Sequence, residues 1–180
     1  MRSVRAGVRR AVLLAALAAL AVLTSGCGLT HVADLNFRVD DRLHFTAPES
    51  RSTVHTPLTV SWRMDDFRPA ALQSEPPTES AGVFAVFVDR APIKPGQTLA
   101  AVADDSCRHT RGCPDLTYLR DQYVFVTRET QLTLNDVPKA RGQRTGARHA
   151  HEATIVLVDA RGGRIGENAY TVDFTIKDAG

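Results

Sequence analysis

The sequence predicts an all-β fold, an antiparallel sandwich of about seven strands, for the part of its 180 residues that folds. Three observations point there. Short segments alternate apolar and polar residues, which puts one set of side chains on each face of a strand. Proline and glycine punctuate the intervals between those segments. No long stretch outside the first 26 residues shows the 3.6-residue apolar period of a helix, so no helical layer is expected.

Taken in order, the first strand runs from Leu43 to Thr46 and ends before Pro48. Leu58 to Met64 alternates cleanly, with Leu58, Val60, Trp62 and Met64 on one face. Val83 to Val88 (VFAVFV) is apolar on both faces, as in a strand covered on both sides. Tyr123 to Thr127 and Thr130 to Leu134 follow. Glu152 to Asp159 (EATIVLVD) carries the strongest pattern, and Tyr170 to Ile176 (YTVDFTI) completes the set after a turn at Gly162-Gly163. Leu35, Phe37 and Val39 also alternate and suit an additional edge strand. Ala100 to Asp104 and Leu116 to Asp121 suit short helical turns, and Pro69 to Ala81, with Pro76-Pro77, reads as an exposed loop.

Ahead of the folded part lies a leader. Met1 to Arg10 holds Arg2, Arg5, Arg9 and Arg10 and no acid. Ala11 to Leu23 (AVLLAALAALAVL) is an apolar run of 13 residues. That falls short of the roughly 20 residues that span a bilayer and fits the apolar core of a signal peptide. Small residues then lead to a cysteine: Thr24-Ser25-Gly26-Cys27. Leu23-Thr24-Ser25-Gly26-Cys27 resembles the lipobox of bacterial lipoproteins, with Thr24 where that family usually carries leucine. The resemblance implies that signal peptidase II cuts before Cys27 and that its thiol receives a diacylglyceryl group. Residues 1–26 are then a signal peptide, 27–41 a lipidated N-terminus and tether, and 42–180 the sandwich domain. Two acyl chains hold a protein on a membrane without a spanning helix. The expected location is the cell membrane, on the extracytoplasmic side. The alternative is a plain secretory signal with Cys27 free or in a disulfide, and Arg9-Arg10 also resembles a twin-arginine signal.

Removing the leader removes four of the 22 basic residues, which leaves 18 against 20 acids. The mature chain is slightly acidic, and its net charge offers no basic surface for nucleic acid.

The chain has three cysteines. With Cys27 lipidated, Cys107 and Cys113 remain, and an even remainder in an exported chain reads as one disulfide. Gly112 and Pro114 favour the turn that brings the sulfurs together. A metal site on Cys107, His109 and Cys113 has the wrong cysteine spacing for the usual zinc motifs and lacks a fourth ligand. His149 and His151 share one face of a strand and are the alternative metal donors, although two solvent-exposed edge histidines are the simpler reading. Asp65-Asp66 and Asp104-Asp105 are adjacent carboxylates, which suit turns better than an acid/base pair. Arg141 to Arg148 (RGQRTGAR) suits a solvated hairpin end better than an anion-binding loop. No nucleophile elbow, P-loop or dinucleotide fingerprint occurs.

Pro57-Leu58-Thr59-Val60-Ser61-Trp62 is similar to the second strand of fibronectin type III and related immunoglobulin-like domains. His151 to Asp159, Ala160 to Arg164 and Tyr170 to Ile176 resemble their last hairpin. The likeness implies an immunoglobulin-like sandwich with Trp62 between the sheets. It leaves Asp66 to Ala81 and Cys107 to Asp121 without a counterpart. The reading is a non-enzymatic, membrane-anchored binding module with no cofactor, whose partner is an envelope protein or a cell-wall polymer. Its alternative is a metal-binding lipoprotein using His149, His151 and the Cys107–Cys113 region. The expected contact is the loop end from Cys107 to Tyr118, because a stapled loop loses less entropy on binding.

Overall fold

The alternation read from the sequence appears as strands paired in two sheets in a computed structural model, which describes residues 40–74, 76–139 and 148–177. The expected signal peptide and lipidated Cys27, the Leu35–Phe37–Val39 pattern and most of the Arg141 to Arg148 loop lie outside the described residues.

Nine strands are present among the described residues, not seven. β1 (Leu43–Ala47), β3 (Leu58–Met64) and β7 (Gln131–Leu134) form one antiparallel sheet in the order β1-β3-β7. The larger sheet is built on β5 (Ala81–Val88), β8 (Arg148–Val158) and β9 (Arg164–Lys177), antiparallel in the order β9-β8-β5. β6 (Val124–Thr127) pairs antiparallel with the other side of β5. The two strands that alternation does not reveal are β2 (Ser52–Val54) and β4 (Arg68–Pro69). Both are too short to carry a pattern, and each adds a parallel pairing, β2 to β9 and β4 to β5.

Inward-facing residues of both sheets share one core. Leu43, Leu58, Val60, Trp62 and Leu134 come from the small sheet, and Phe84, Val86, Ile155, Val172 and Phe174 are among those from the large one. Trp62 is 3% exposed and meets Phe84 edge-on, with ring centroids 5.3 Å apart. The expected place of this tryptophan between the sheets is the observed one.

β5 is buried at all eight positions, so its outer face is covered as well. The cover comes largely from residues 89–123, where the short helical turns expected at Ala100 to Asp104 and Leu116 to Asp121 are found, the first as Leu99–Val102. A 3₁₀ turn (Leu99–Val102), α1 (Asp105–Arg108) and α2 (Leu116–Asp121) lie in this insertion. Ile93, Leu99, Val102 and Leu119 pack on Val83, Ala85, Phe87, Val156 and Val158 as a second core. Each such buried side chain contributes roughly 1.5–3 kcal/mol, enough to hold a short segment without helical periodicity. The insertion leaves the sheet at Asp89 (φ 53) and rejoins it at Tyr123 (φ 56), both in the left-handed region that turns the chain sharply. Val88 N–H donates to the Tyr123 carbonyl at 3.0 Å and closes the excursion.

The connection from Asp66 to Ala81 is not simply an exposed loop. Ala70 is buried, its N–H donates to the Gly82 carbonyl at 2.7 Å, and Leu72 packs against the second core. Gly82 is required there, since a Cβ would overlap the Val158 carbonyl oxygen.

Candidate functional site

The insertion is organised by its caps. Asp104 Oδ1 accepts from the Cys107 N–H and from Ser106 Oγ, both at 2.8 Å, and so starts α1. These bonds, the Cys107 N–H first, hold the Asp104 carboxyl below its usual range. Asp115 Oδ1 accepts from the Tyr118 N–H at 2.7 Å and starts α2. The Asp104 N–H donates to the Tyr118 hydroxyl at 2.9 Å, which ties the two helices together. Asp104 thus has the turn-forming part expected of it, and Asp105 pairs with Arg108 on the exposed side of α1.

Cys107 and Cys113 are joined as a disulfide, with Cα atoms 5.3 Å apart. Cys107 is only 3% exposed. The bridge therefore has one buried end within the insertion, the cap over the outer face of β5. Disulfide sulfurs are not thiolate donors, so neither cysteine is a metal ligand in this state. His109 follows α1 and is exposed.

Beyond the staple the chain turns outward at Leu116. It is 55% exposed and is the one exposed large apolar side chain among the described residues. Leu116 borders two clefts. One, of about 650 Å³, lies beside the edges of β6 and β7 and is also lined by Tyr123, Phe125, Leu132 and Asp136. The other, of about 400 Å³, lies between the cap and the β8–β9 turn, lined by Leu72, Leu99, Pro114, Leu119 and Gly162. Both volumes fall in the range of binding pockets. The cap is held against that turn by main-chain bonds from the Leu99 N–H to the Gly162 carbonyl (2.8 Å) and from the Arg164 N–H to the Gln97 carbonyl (2.9 Å). The Arg164 guanidinium also donates to the Ile93 carbonyl, and burial lowers its pKa.

No protein-family model, curated protein or solved structure matches this chain.

The remaining predicted site residues lie elsewhere. His149 and His151 share the inner face of β8, but neither is an exposed edge histidine. His149 is half-buried, and His151, 7% exposed, is buried against Phe174 with ring centroids 5.9 Å apart. His151 Nδ1 sits 2.6 Å from Asp89 Oδ2. The other oxygen of Asp89 accepts from the Glu152 N–H at 2.8 Å. This pair locks the start of the insertion to β8. Sequence offered no signal for it, because the partners are 62 residues apart. Ser52 has a buried, unpaired hydroxyl, but the β9 strand separates it from His151: Phe174 is in register with both. Among the described residues no three histidine, cysteine or acidic side chains converge as a metal site.

A further cluster escaped sequence reasoning. Asp40 and Arg42 form a two-pronged pair at 2.9 and 2.8 Å beside the Tyr170 hydroxyl. The Arg42 hydrogen bonds hold the Asp40 carboxyl well below the carboxylate range. Burial, reinforced by Asp40, pushes the Tyr170 phenol up. This cluster places the Asp40–Arg42 pair beside Tyr170 of β9.

Proposed function

We propose that the chain is a lipid-anchored envelope protein whose immunoglobulin-like sandwich displays the insertion between β5 and β6 as its binding face. The partner is an envelope protein or a cell-wall polymer. The order β1-β3-β7 opposite β9-β8-β5-β6 supports the immunoglobulin-like reading, as does Trp62 between the sheets. The leader and Cys27, by their likeness to a lipobox, support the anchor and the extracytoplasmic cell-membrane location.

One observation carries the binding face. The exposed Leu116 stands between two clefts on a segment ordered by a disulfide and two aspartate caps. An exposed apolar anchor on a pre-ordered segment is what a binding surface needs, because little ordering entropy remains to be lost. The expected contact from Cys107 to Tyr118 is thereby narrowed to its second half, around Leu116.

Two measurements test the reading. Mass spectrometry of the mature protein should give a first residue Cys27 carrying a diacylglyceryl group. Chemical cross-linking on intact membranes should give an adduct that falls at least fivefold for Leu116→Asp, with an unchanged melting temperature. Protein released to the medium with a free Cys27 thiol overturns the anchor, and an undiminished adduct overturns the binding face.

A further inference from the structure

We propose that the outer edge of β7 is a strand-addition site for an extended partner peptide. The peptide pairs antiparallel, carries apolar residues at alternate positions and has a basic N-terminal end. This rests on the reading of the chain as a binding module and gives its partner a chemistry.

The phase of the β3–β7 ladder decides which main-chain groups of β7 are free. The Trp62 N–H donates to the Thr130 carbonyl at 2.9 Å, and the same register runs on from Ser61–Gln131 to Leu58–Leu134. Antiparallel partners alternate between bonded and non-bonded pairs, so Leu132 and Leu134 share their main-chain groups with β3. The Thr59 and Thr133 hydroxyls, 3.2 Å apart, mark the closer, non-bonded pair that lies between them. Gln131 and Thr133 therefore turn their N–H and C=O groups away from β3. Both residues are exposed, and among the described residues no main-chain bond reaches them from that side.

The other strand edges are closed or blunted. By the same reasoning β1 turns its main chain outward at Leu43 and β6 at Val124, and both residues are buried. β4 has two residues and ends in Pro69, and β2 has three and lies between Pro48 and Pro57. β7 reads Gln-Leu-Thr-Leu, with no proline and no charge to discourage a neighbour. Exposed, unpaired main-chain groups along a sheet edge are what strand addition uses.

The cleft of about 650 Å³ lies along this edge and gives the guest its pattern. A strand laid along four residues of β7 spans about 13 Å, and its side chains point alternately to the two faces. One set faces the cleft, where Phe125 and Leu132 are half-buried against the inner core. The other continues the exposed face that carries Thr59 and Thr133. That geometry asks for apolar residues at every second position.

Charge gives the guest its direction. The turn 128–130 joins β6 to β7 at one end of the cleft. At the other end Asp136 follows β7, and Asp121 and Tyr123 precede β6. Burial, reinforced by the charge of Asp136, pushes the Tyr123 phenol up, which places that carboxylate at the Tyr123 end. Among the residues lining the cleft, Arg120 is the single counter-charge. An antiparallel guest, in the slightly more stable kind of ladder, brings its N-terminal end to these two carboxylates, which favours basic residues there.

The test uses the full chain and a synthetic peptide with blocked ends, Lys-Lys-Val-Thr-Val-Thr-Val-Thr, with amide hydrogen exchange read residue by residue. Saturating peptide should slow exchange at Gln131 and Thr133 at least tenfold. The reversed peptide, Thr-Val-Thr-Val-Thr-Val-Lys-Lys, should bind at least threefold more weakly. The first peptide with its central amides methylated should leave both rates unchanged. No slowing, equal slowing by the methylated peptide, or equal affinity for the two orders overturns the proposal. Protection of both amides before peptide is added also overturns it, since the edge is then occupied by this chain or a second copy. Loss of the membrane adduct in Leu116→Asp without edge protection by the peptide would leave the binding-module reading in place and remove this one.

Discussion

The two faces of β5 are closed in different ways. The inner face meets a second sheet, whose strands β3 and β7 carry Val60, Trp62 and Leu134 at alternating positions. The outer face meets a 35-residue excursion with three short helical pieces, held by a disulfide, two aspartate caps and the His151–Asp89 pair. The inner core is made by a repeating pattern and the outer one by individually placed anchors. The first should therefore fail as a whole, and the second should come away locally.

Truncating each core tests that contrast. Trp62→Ala removes the largest inner side chain and should cost about 3–5 kcal/mol. Urea unfolding should show one transition at a lower midpoint, with all probes coincident. Leu119→Ala removes an outer anchor and should cost about 2–4 kcal/mol. Amides of residues 99–121 should lose protection well before those of β3 and β9. If both variants unfold in one step with equal loss everywhere, the cores are not separable.

The smallest expected effect concerns the Asp40–Arg42–Tyr170 cluster. Asp40 has a lowered folded pKa, so its contribution is present above the ordinary carboxylate range, near pH 4, and fades as pH falls below it. Tyr170 has a raised folded pKa, so its contribution is present below about pH 10 and fades as pH rises beyond. Stability governed by this cluster should be flat between those limits. Asp40→Asn should cost about 1–2 kcal/mol at neutral pH and flatten the acid limb, as thermal melts from pH 2 to 11 would show. An unchanged acid limb would mean that the pair contributes nothing.

The same contrast explains what was legible in the sequence. Leu58–Met64, Val83–Val88 and the last hairpin could be read because burial on a sheet imposes a two-residue period. The continuous apolar run of β5 announced a strand covered on both faces. It did not say what covers the second, because Ile93, Leu99, Val102 and Leu119 have no common period and each finds its place through long-range contacts. Cysteine arithmetic found the staple, and Asp104 was correctly placed as a turn former. Leu116 looked like an ordinary helix residue, and nothing in a linear pattern marks it as exposed between clefts. His151 was expected in solvent, since its partner Asp89 is far off in sequence and meets it only through the β5–β8 register.

The most direct test is native-state hydrogen exchange before and after gentle reduction of Cys107–Cys113. Loop closure by this bridge is worth about 2.4 kcal/mol in the chain-entropy model, and that loss should fall on the cap alone. The account predicts faster exchange across residues 99–121, with Val60, Trp62, Val172 and Phe174 as protected as before. Uniform deprotection of both cores, or no change anywhere, would contradict it.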